Sequence, residues 1–539
     1  MKKIIDLLNW IFDSKLKWIF FMTFHFIFRI PYFLNSEKRM HGDEAFHWLV
    51  NQANIDGNFT LHPFNHSYLG VTDFLFVLPF YPFFGNTGLS NQLGLWLMYG
   101  AFSFFMVKAT ELLLGKKESQ LVYYLHLIPS SFLMILSATY HGGHFGAYVF
   151  WTAGFYFYLK MLQTDSNKID ISSAILLGAL WGLSYYTSHL ALLSIGVYLP
   201  LCLLFLLILN LQNVKTVFRI SAFILIGLLI GLIPEALGKF IIPFEANHNS
   251  DFLARPFFYW KNNLYVLLHY EWESIVGIFA HPFMRYYGFF FGAKEQTVIY
   301  VLSIILTLIL AYFPIIFIFK SIREKGLKVN NFRFYFFVGY FALFAITFVL
   351  ILCINKELDD FGVRYLMPVI SISPFLFAYA AYSLKEKNIK FFYALVSLVF
   401  IINIAGYLQG YTRKAFYEFE GSPGAKEVSE FLKSKDIKYS FANHWITYNL
   451  IKNSKQEHLS APFIGENIHN PPMHDFIEKK SNTETIAIIQ MDVLLDWHRD
   501  KVNTNEKKEK YLNMAEGKYK VLEEKIINRW QIYICKKEQ

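Results

Sequence analysis

The sequence predicts a polytopic α-helical membrane protein of about 11 spans, with a large first outer loop and a C-terminal soluble α/β domain. Three observations carry this. The chain of 539 residues is 55% hydrophobic and 19% aromatic but only 17% charged, too apolar for a soluble protein of that length. Its apolar residues gather in runs long enough to span a bilayer, roughly 20 residues each. Its basic residues sit at alternate ends of those runs, as cytoplasmic membrane loops require.

Expected spans lie near 17–34, 90–114, 119–140, 143–161, 170–188, 190–211, 217–243, 298–319, 333–354, 364–384 and 389–410. Lys15 and Lys17 precede the first, and Lys116 and Lys117 follow the second. Lys160 and Lys168, Lys215 and Arg219, Lys320 to Arg333, and Lys385 to Lys390 flank later turns. With this set of spans every basic cluster falls on one side, the cytoplasmic side. Residues 72–84 are too short to span and contain Pro79 and Pro82, so they are expected to lie along the outer surface. No small-residue cleavage site follows the first apolar run, which is expected to remain as a helix rather than a signal peptide.

The opposite side receives loop 35–89, the turn at 141–144, loop 244–297, loop 355–363 and everything after about 410. Apolar runs shorten beyond that point and charge rises, which divides the chain into a transmembrane domain, 1–410, and a soluble domain, 411–539. In the latter, 424–434 reads as an amphipathic helix, and 485–493 and 530–535 as strands. Cys202, Cys353 and Cys535 show neither a disulfide framework nor a metal spacing. The net charge of +9 does not indicate nucleic acid, because no basic patch with interleaved aromatics is present.

Polar chemistry concentrates on the outer side. Asp43 and Glu44, in Gly42-Asp43-Glu44-Ala45, directly follow the first span. Adjacent carboxylates near lipid are costly unless they have a task, although Asp is also a good helix N-cap. Asp73, in Tyr68-Leu69-Gly70-Val71-Thr72-Asp73, is either a cap or a second acid facing the same cavity. In His141-Gly142-Gly143-His144 the glycines permit close backbone approach at a helix start, which favours an anion. Its two histidines could equally ligate a metal or simply sit in a tight turn. Arg364, beside Tyr365, and Arg29 sit where a cation either reaches the interface or bonds a lipid phosphate. Lys239, Arg255 and Lys261 add positive charge, and Glu235 interrupts an apolar helix. The stretch Ala442 to Leu450 reads as ordinary core packing.

These residues together resemble the GT-C superfamily of membrane glycosyltransferases, in particular bacterial relatives of dolichyl-phosphate-mannose protein mannosyltransferases and lipid A aminoarabinose transferases. The resemblance rests on Asp43-Glu44, Tyr68 to Asp73, Gly142-Gly143-His144, Arg364-Tyr365-Leu366-Met367-Pro368 and Ala442 to Leu450. Asp73 stands where Glu is more usual, and the acids often found after the Gly-Gly turn are replaced by Gly146 and Ala147. The resemblance implies an inverting transfer of a sugar from a polyprenyl-phosphate donor to an acceptor hydroxyl on the periplasmic face of a bacterial inner membrane. Asp43 would be the base, with Glu44 and Asp73 orienting the acceptor. Arg364, Tyr365, His144, Gly143, Arg29 and Lys239 would hold the donor's phosphate and sugar. No cofactor is required, although His41 and His47 with Asp43 allow a divalent ion. The expected partners are the lipid-linked donor, a periplasmic acceptor and the bilayer. The rival reading is a lipid or glycan transporter, which would need broken helices in related halves, and no repeat is visible.

Overall fold

The computed structural model describes residues 9–40, 42–62, 69–129, 133–134, 137–138, 143–163, 170–209, 214–241, 296–325, 331–354, 367–412, 424–462, 471–491, 519–528 and 530–537. Helices occupy most of the described residues up to 412, including much of the apolar runs. They are α1 (Lys17–Leu34), α2 (Gly42–Ile55), α3 (Asp73–Val77), α4 (Gly88–Leu113), α5 (Lys116–Leu127), α6 (His144–Leu162) and α7 (Ile171–Thr187). There follow α8 (Ala191–Leu209), α9 (Val214–Gly231), α10 (Ile233–Ile241), α11 (Gln296–Lys325), α12 (Phe332–Ile354), α13 (Ser373–Lys387) and α14 (Ile389–Thr412). Among the described residues, three helical stretches are long and apolar enough by themselves to cross a bilayer: Gly88–Leu113, Ala191–Leu209 and Val214–Gly238.

Several expected spans are shorter or broken, and proline explains where. The run at 119–140 stops as a helix at Leu127, because Pro129 lacks an N–H and disfavours helical geometry at Ile128 before it. Val214–Gly231 and Ile233–Ile241 part at Leu232, with Pro234 opening the second piece. The run at 364–384 divides into Met367–Ile370 and α13, whose first turn holds Pro374.

Helices pack through small residues and aromatic stacks. Gly178 and Gly182 on α7 face Gly227 and Gly231 on α9, and a Cβ on any of them would run into the other helix's backbone. Such close approach is how apolar helices gain packing without a hydrophobic drive. Trp151 and Trp181 stack at 6.3 Å, and the Trp181 indole donates to the Trp151 carbonyl at 3.0 Å. Outward faces stay apolar, with Ile19, Ile27, Phe218, Leu229, Leu308, Phe319 and Ile401 all exposed. That pattern suits lipid rather than water. At one end of the bundle Arg333 donates to the Leu113 and Leu114 carbonyls, and Lys116 pairs with Asp13. A cation at a helix C-terminus complements the dipole. At the other end the termini of α1, α4, α6 and α7 meet, and the site is built there.

The described residues from 424 onward form a five-stranded sheet flanked by helices. The strands are β1 (Tyr439–Ala442), β2 (Leu459–Pro462), β3 (Ile486–Met491), β4 (Tyr519–Ile527) and β5 (Trp530–Lys537). Their order is β2-β1-β3-β5-β4, with β1 parallel to β2 and β3, and β5 antiparallel to β3 and β4. Side chains alternate between two apolar layers. Ala487 and Ile489 face α15 (Ala425–Ser434) and α16 (His444–Asn453), whereas Ile486 and Ile488 face α17 (Pro471–Ser481).

Candidate active site

Helix α2 begins at Gly42, so Asp43 and Glu44 both fall in its first turn, where the helix dipole favours carboxylates. Neighbouring positions on a helix project about 100° apart. The two acids therefore separate: Asp43 is half-buried and accessible, while Glu44 is buried in the protein.

Two supports fix α2. On one side the Trp48 indole donates to the Asn86 carbonyl at 2.7 Å, the Asn86 amide donates to the Trp48 carbonyl at 3.0 Å, and Asn51 donates to Asn91 Oδ1 at 3.3 Å. On the other, α16 lies across it. The Phe46 and Tyr448 rings stand 5.1 Å apart, Asn449 Nδ2 donates to the Met40 carbonyl at 3.2 Å, and Lys452 pairs with Glu37. The stretch Ala442 to Leu450 thus supplies more than core: it seats the helix that carries Asp43.

Asp73 opens α3 and is 3% exposed. Its loop is sewn to the end of α7. Leu69 bridges Ser188, the Gly70 N–H donates to the Thr187 carbonyl at 3.2 Å, and Thr72 and Thr187 hydroxyls lie 2.8 Å apart. Gly146 faces the Asp73 carboxylate so closely that a Cβ there would lie 2.7 Å from Oδ1. That oxygen is buried without a hydrogen-bond partner. Burial alone pushes the Asp73 pKa up to about 7. Gly143 holds φ at +69°, and a Cβ there would meet the Thr187 carbonyl at 3.0 Å. His144 starts α6 and its Nδ1 is 2.8 Å from Ser188 Oγ. The glycines at 143 and 146 thereby let α6 approach α7 and the Asp73 loop in one place.

Arg29 is fully buried. Its Nη1 donates to the Ser137 carbonyl at 2.7 Å and its Nη2 to Ser137 Oγ at 2.6 Å, with the guanidinium 5.0 Å from the Tyr99 ring centre. Gln92 Nε2 donates to the next carbonyl, Ala138, at 2.8 Å. These bonds tie α1 to the segment that holds Ser137 and Ala138.

Asp73, Gly143 and His144 are therefore brought together, with Asp43 and Glu44 on a separate helix; α4 contacts both groups, through Asn91 to α2 and through Gly94, which faces Val77 of α3. Arg364, Tyr365, His41, Tyr68, Arg255 and Lys261 lie outside the described residues, as does the side chain of Lys239. His47 is buried one turn beyond Asp43, which gives two donors for a divalent ion. Among the described residues, three such groups close enough to share one ion occur at His474, Asp475 and Glu478 on α17, within 4.8 Å of one another. Sequence reasoning missed Thr187 and Ser188, and read Gly146 only as the place of a missing acid. The polar run Tyr186-Thr187-Ser188-His189 ending an apolar helix was a usable signal, whereas Gly146 carried none.

No protein-family model matches the sequence, and no curated protein does. The fold nevertheless matches that of solved structures. ArnT from Cupriavidus metallidurans bound to undecaprenyl phosphate superposes with a TM-score of 0.58 at 11% identity, over 96% of this chain and 98% of that one. Its apo state gives 0.55 at 12% identity, over 95% and 97%. The Archaeoglobus fulgidus oligosaccharyltransferase in complex with Zn and sulfate gives 0.50 at 12% identity, over 88% of this chain and 67% of that one.

Proposed function

We propose that the chain is an inverting glycosyltransferase that moves one sugar from a polyprenyl-phosphate donor to an acceptor hydroxyl on the periplasmic face of a bacterial inner membrane. The observation that carries this reading is the convergence of Asp73, Gly143, His144 and Ser188 at one end of a GT-C-like helix bundle. The likeness to ArnT bound to undecaprenyl phosphate supports a lipid-phosphate donor.

In this scheme the acceptor oxygen attacks the anomeric carbon while Asp43 takes its proton. An alcohol is a poor nucleophile, and a placed base contributes roughly 10²–10⁴-fold. The bond from the anomeric carbon to the phosphate oxygen breaks on the opposite side, which inverts the centre and releases polyprenyl phosphate. The N–H groups opening α6, with Gly143 and His144, receive the growing charge on that phosphate. Arg364, Tyr365 and Lys239 complete the phosphate site, and Arg29 positions the segment leading to it. Asp73, with a pKa of about 7, can accept or hold a proton at neutral pH and so orients a sugar or acceptor hydroxyl. Glu44 anchors α2. The scheme requires no cofactor; Asp43 and His47 would hold a divalent ion if one takes part. Residues 1–410 form the catalytic membrane domain of about 11 spans, and 411–539 a periplasmic α/β domain that seats α2.

A transporter of the same lipid is the alternative. Asp43→Asn distinguishes the two in purified protein given labelled polyprenyl-phosphate sugars: release of polyprenyl phosphate should fall by roughly 10²–10⁴-fold while lipid binding persists. Binding by the wild type with no release would favour transport.

A further inference from the structure

A second polar cluster lies behind the Asp73 loop, on helix α10. Glu235 is 6% exposed and faces two imidazoles. His189 Nε2, at the turn between α7 and α8, is 3.1 Å from Glu235 Oε1. His62 Nε2, in the first loop, is 3.6 Å from Glu235 Oε2. His62 is fully buried, and its Nδ1 is 2.8 Å from the Leu69 carbonyl. A carbonyl only accepts, so Nδ1 carries hydrogen. His62 thereby links the Leu69 backbone to the face of α10 that carries Glu235.

The surroundings are shaped for this contact. Gly238 lies one turn from Glu235 on the same face of α10, and a Cβ there would strike the His62 ring. Tyr186 donates its hydroxyl hydrogen to the Leu61 carbonyl and accepts from the Val71 N–H at 3.4 Å. Gly70 lies against the Tyr186 ring so closely that a Cβ would come within 2.7 Å. Residues 69–72 are thus held by α7 along one side, and Glu235 stands behind His62.

We propose that Glu235 is a positioning residue: with His62 and His189 it clamps residues 69–72 and thereby sets where the Asp73 carboxylate stands. The proposal rests on the sugar-transfer reading of the Asp73 site, and its test separates the two. Hydrogen exchange is measured by mass spectrometry on the full-length protein in lipid nanodiscs, as wild type, Glu235→Gln, His62→Gln and the double variant. Amides of residues 69–72 should exchange about tenfold faster in each single variant, with no further gain in the double, while α4 is unchanged. His189→Gln, at a half-buried position, should give the same effect in smaller measure and serves if the buried variants fail to fold. In the transfer assay Glu235→Gln should lower kcat about tenfold with the donor KM unchanged, a split that general loss of fold would not give. Wild-type exchange at 69–72 in both Glu235→Gln and His189→Gln would overturn the clamp. Faster exchange in a protein whose wild type transfers no sugar supports the clamp and retires the transfer reading.

Discussion

Asp43 and Asp73 each fall in the first turn of a helix, yet their environments differ. Asp43 is half-exposed at a helix start, and Asp73 is sealed against Gly146. The consequence is a stability effect of definite sign. The folded-state pKa of Asp73, about 7, lies above its ordinary 3.8, so the folded chain binds that proton more tightly than the unfolded one. Stability therefore falls as pH rises from about 4 to about 7. Asp73→Asn removes the dependence. Thermal unfolding in detergent should find the variant more stable than wild type above pH 7, by at most about 4 kcal/mol, with the gap closing toward pH 4. Wild-type behaviour at both ends would show that the carboxylate is not sealed. At this scale the sequence was legible for Asp43, because a helix start makes Asp43 and Glu44 diverge. It was not legible for Gly146, whose meaning depends on a carboxylate from a distant segment. Nor does it show the bonds from Arg29 to Ser137, which join segments far apart in the chain.

Among the elements, α2 is the one whose placement matters most, and it owes its seat to α4 and α16. Asn449→Ala should free the Met40 carbonyl, three residues before Asp43, from its side-chain donor. The expected cost is about 1 kcal/mol in stability and about a tenfold loss in kcat, with the donor KM little changed. Steady-state kinetics on membranes that retain normal expression would check it. The sheet offers a second test. His458 is buried, with Nδ1 donating to the Ile437 carbonyl at 2.9 Å and Nε2 bonded to Ser440 Oγ at 2.8 Å. Burial lowers its pKa from 6.5 to about 4. The unfolded chain then binds the proton more tightly, so stability is full above about 6.5 and is lost as pH falls toward 4. Urea or heat unfolding followed by Trp530 fluorescence should show that loss, and His458→Gln should flatten it. Helices were legible because apolar length needs no partner to be read. The breaks at Pro129 and Pro234 were also written in the chain. Strands β1 and β2, of four residues each, carry too short an alternation to be seen without their neighbours.

At the scale of the molecule, chemistry and charge separate along the bundle. Arg333 and Lys116 hold helix termini at one end, while the acids, the Gly143 turn and the sheet gather at the other. Charge at the ends of apolar runs foretold this polarity. What it could not foretell is how the loops interlock, since those contacts join Leu69 to Ser188 and Met40 to Asn449 across long stretches of chain. Under the proposed function this end of the bundle transfers a sugar from a lipid phosphate, with Asp43 as base. Purified protein in proteoliposomes, given a radiolabelled polyprenyl-phosphate sugar and envelope acceptor lipids, tests it most directly. The wild type should release polyprenyl phosphate and label the acceptor with inverted anomeric configuration, and Asp43→Asn should do neither above roughly one part in a hundred. Transfer by Asp43→Asn at the wild-type rate would contradict the account.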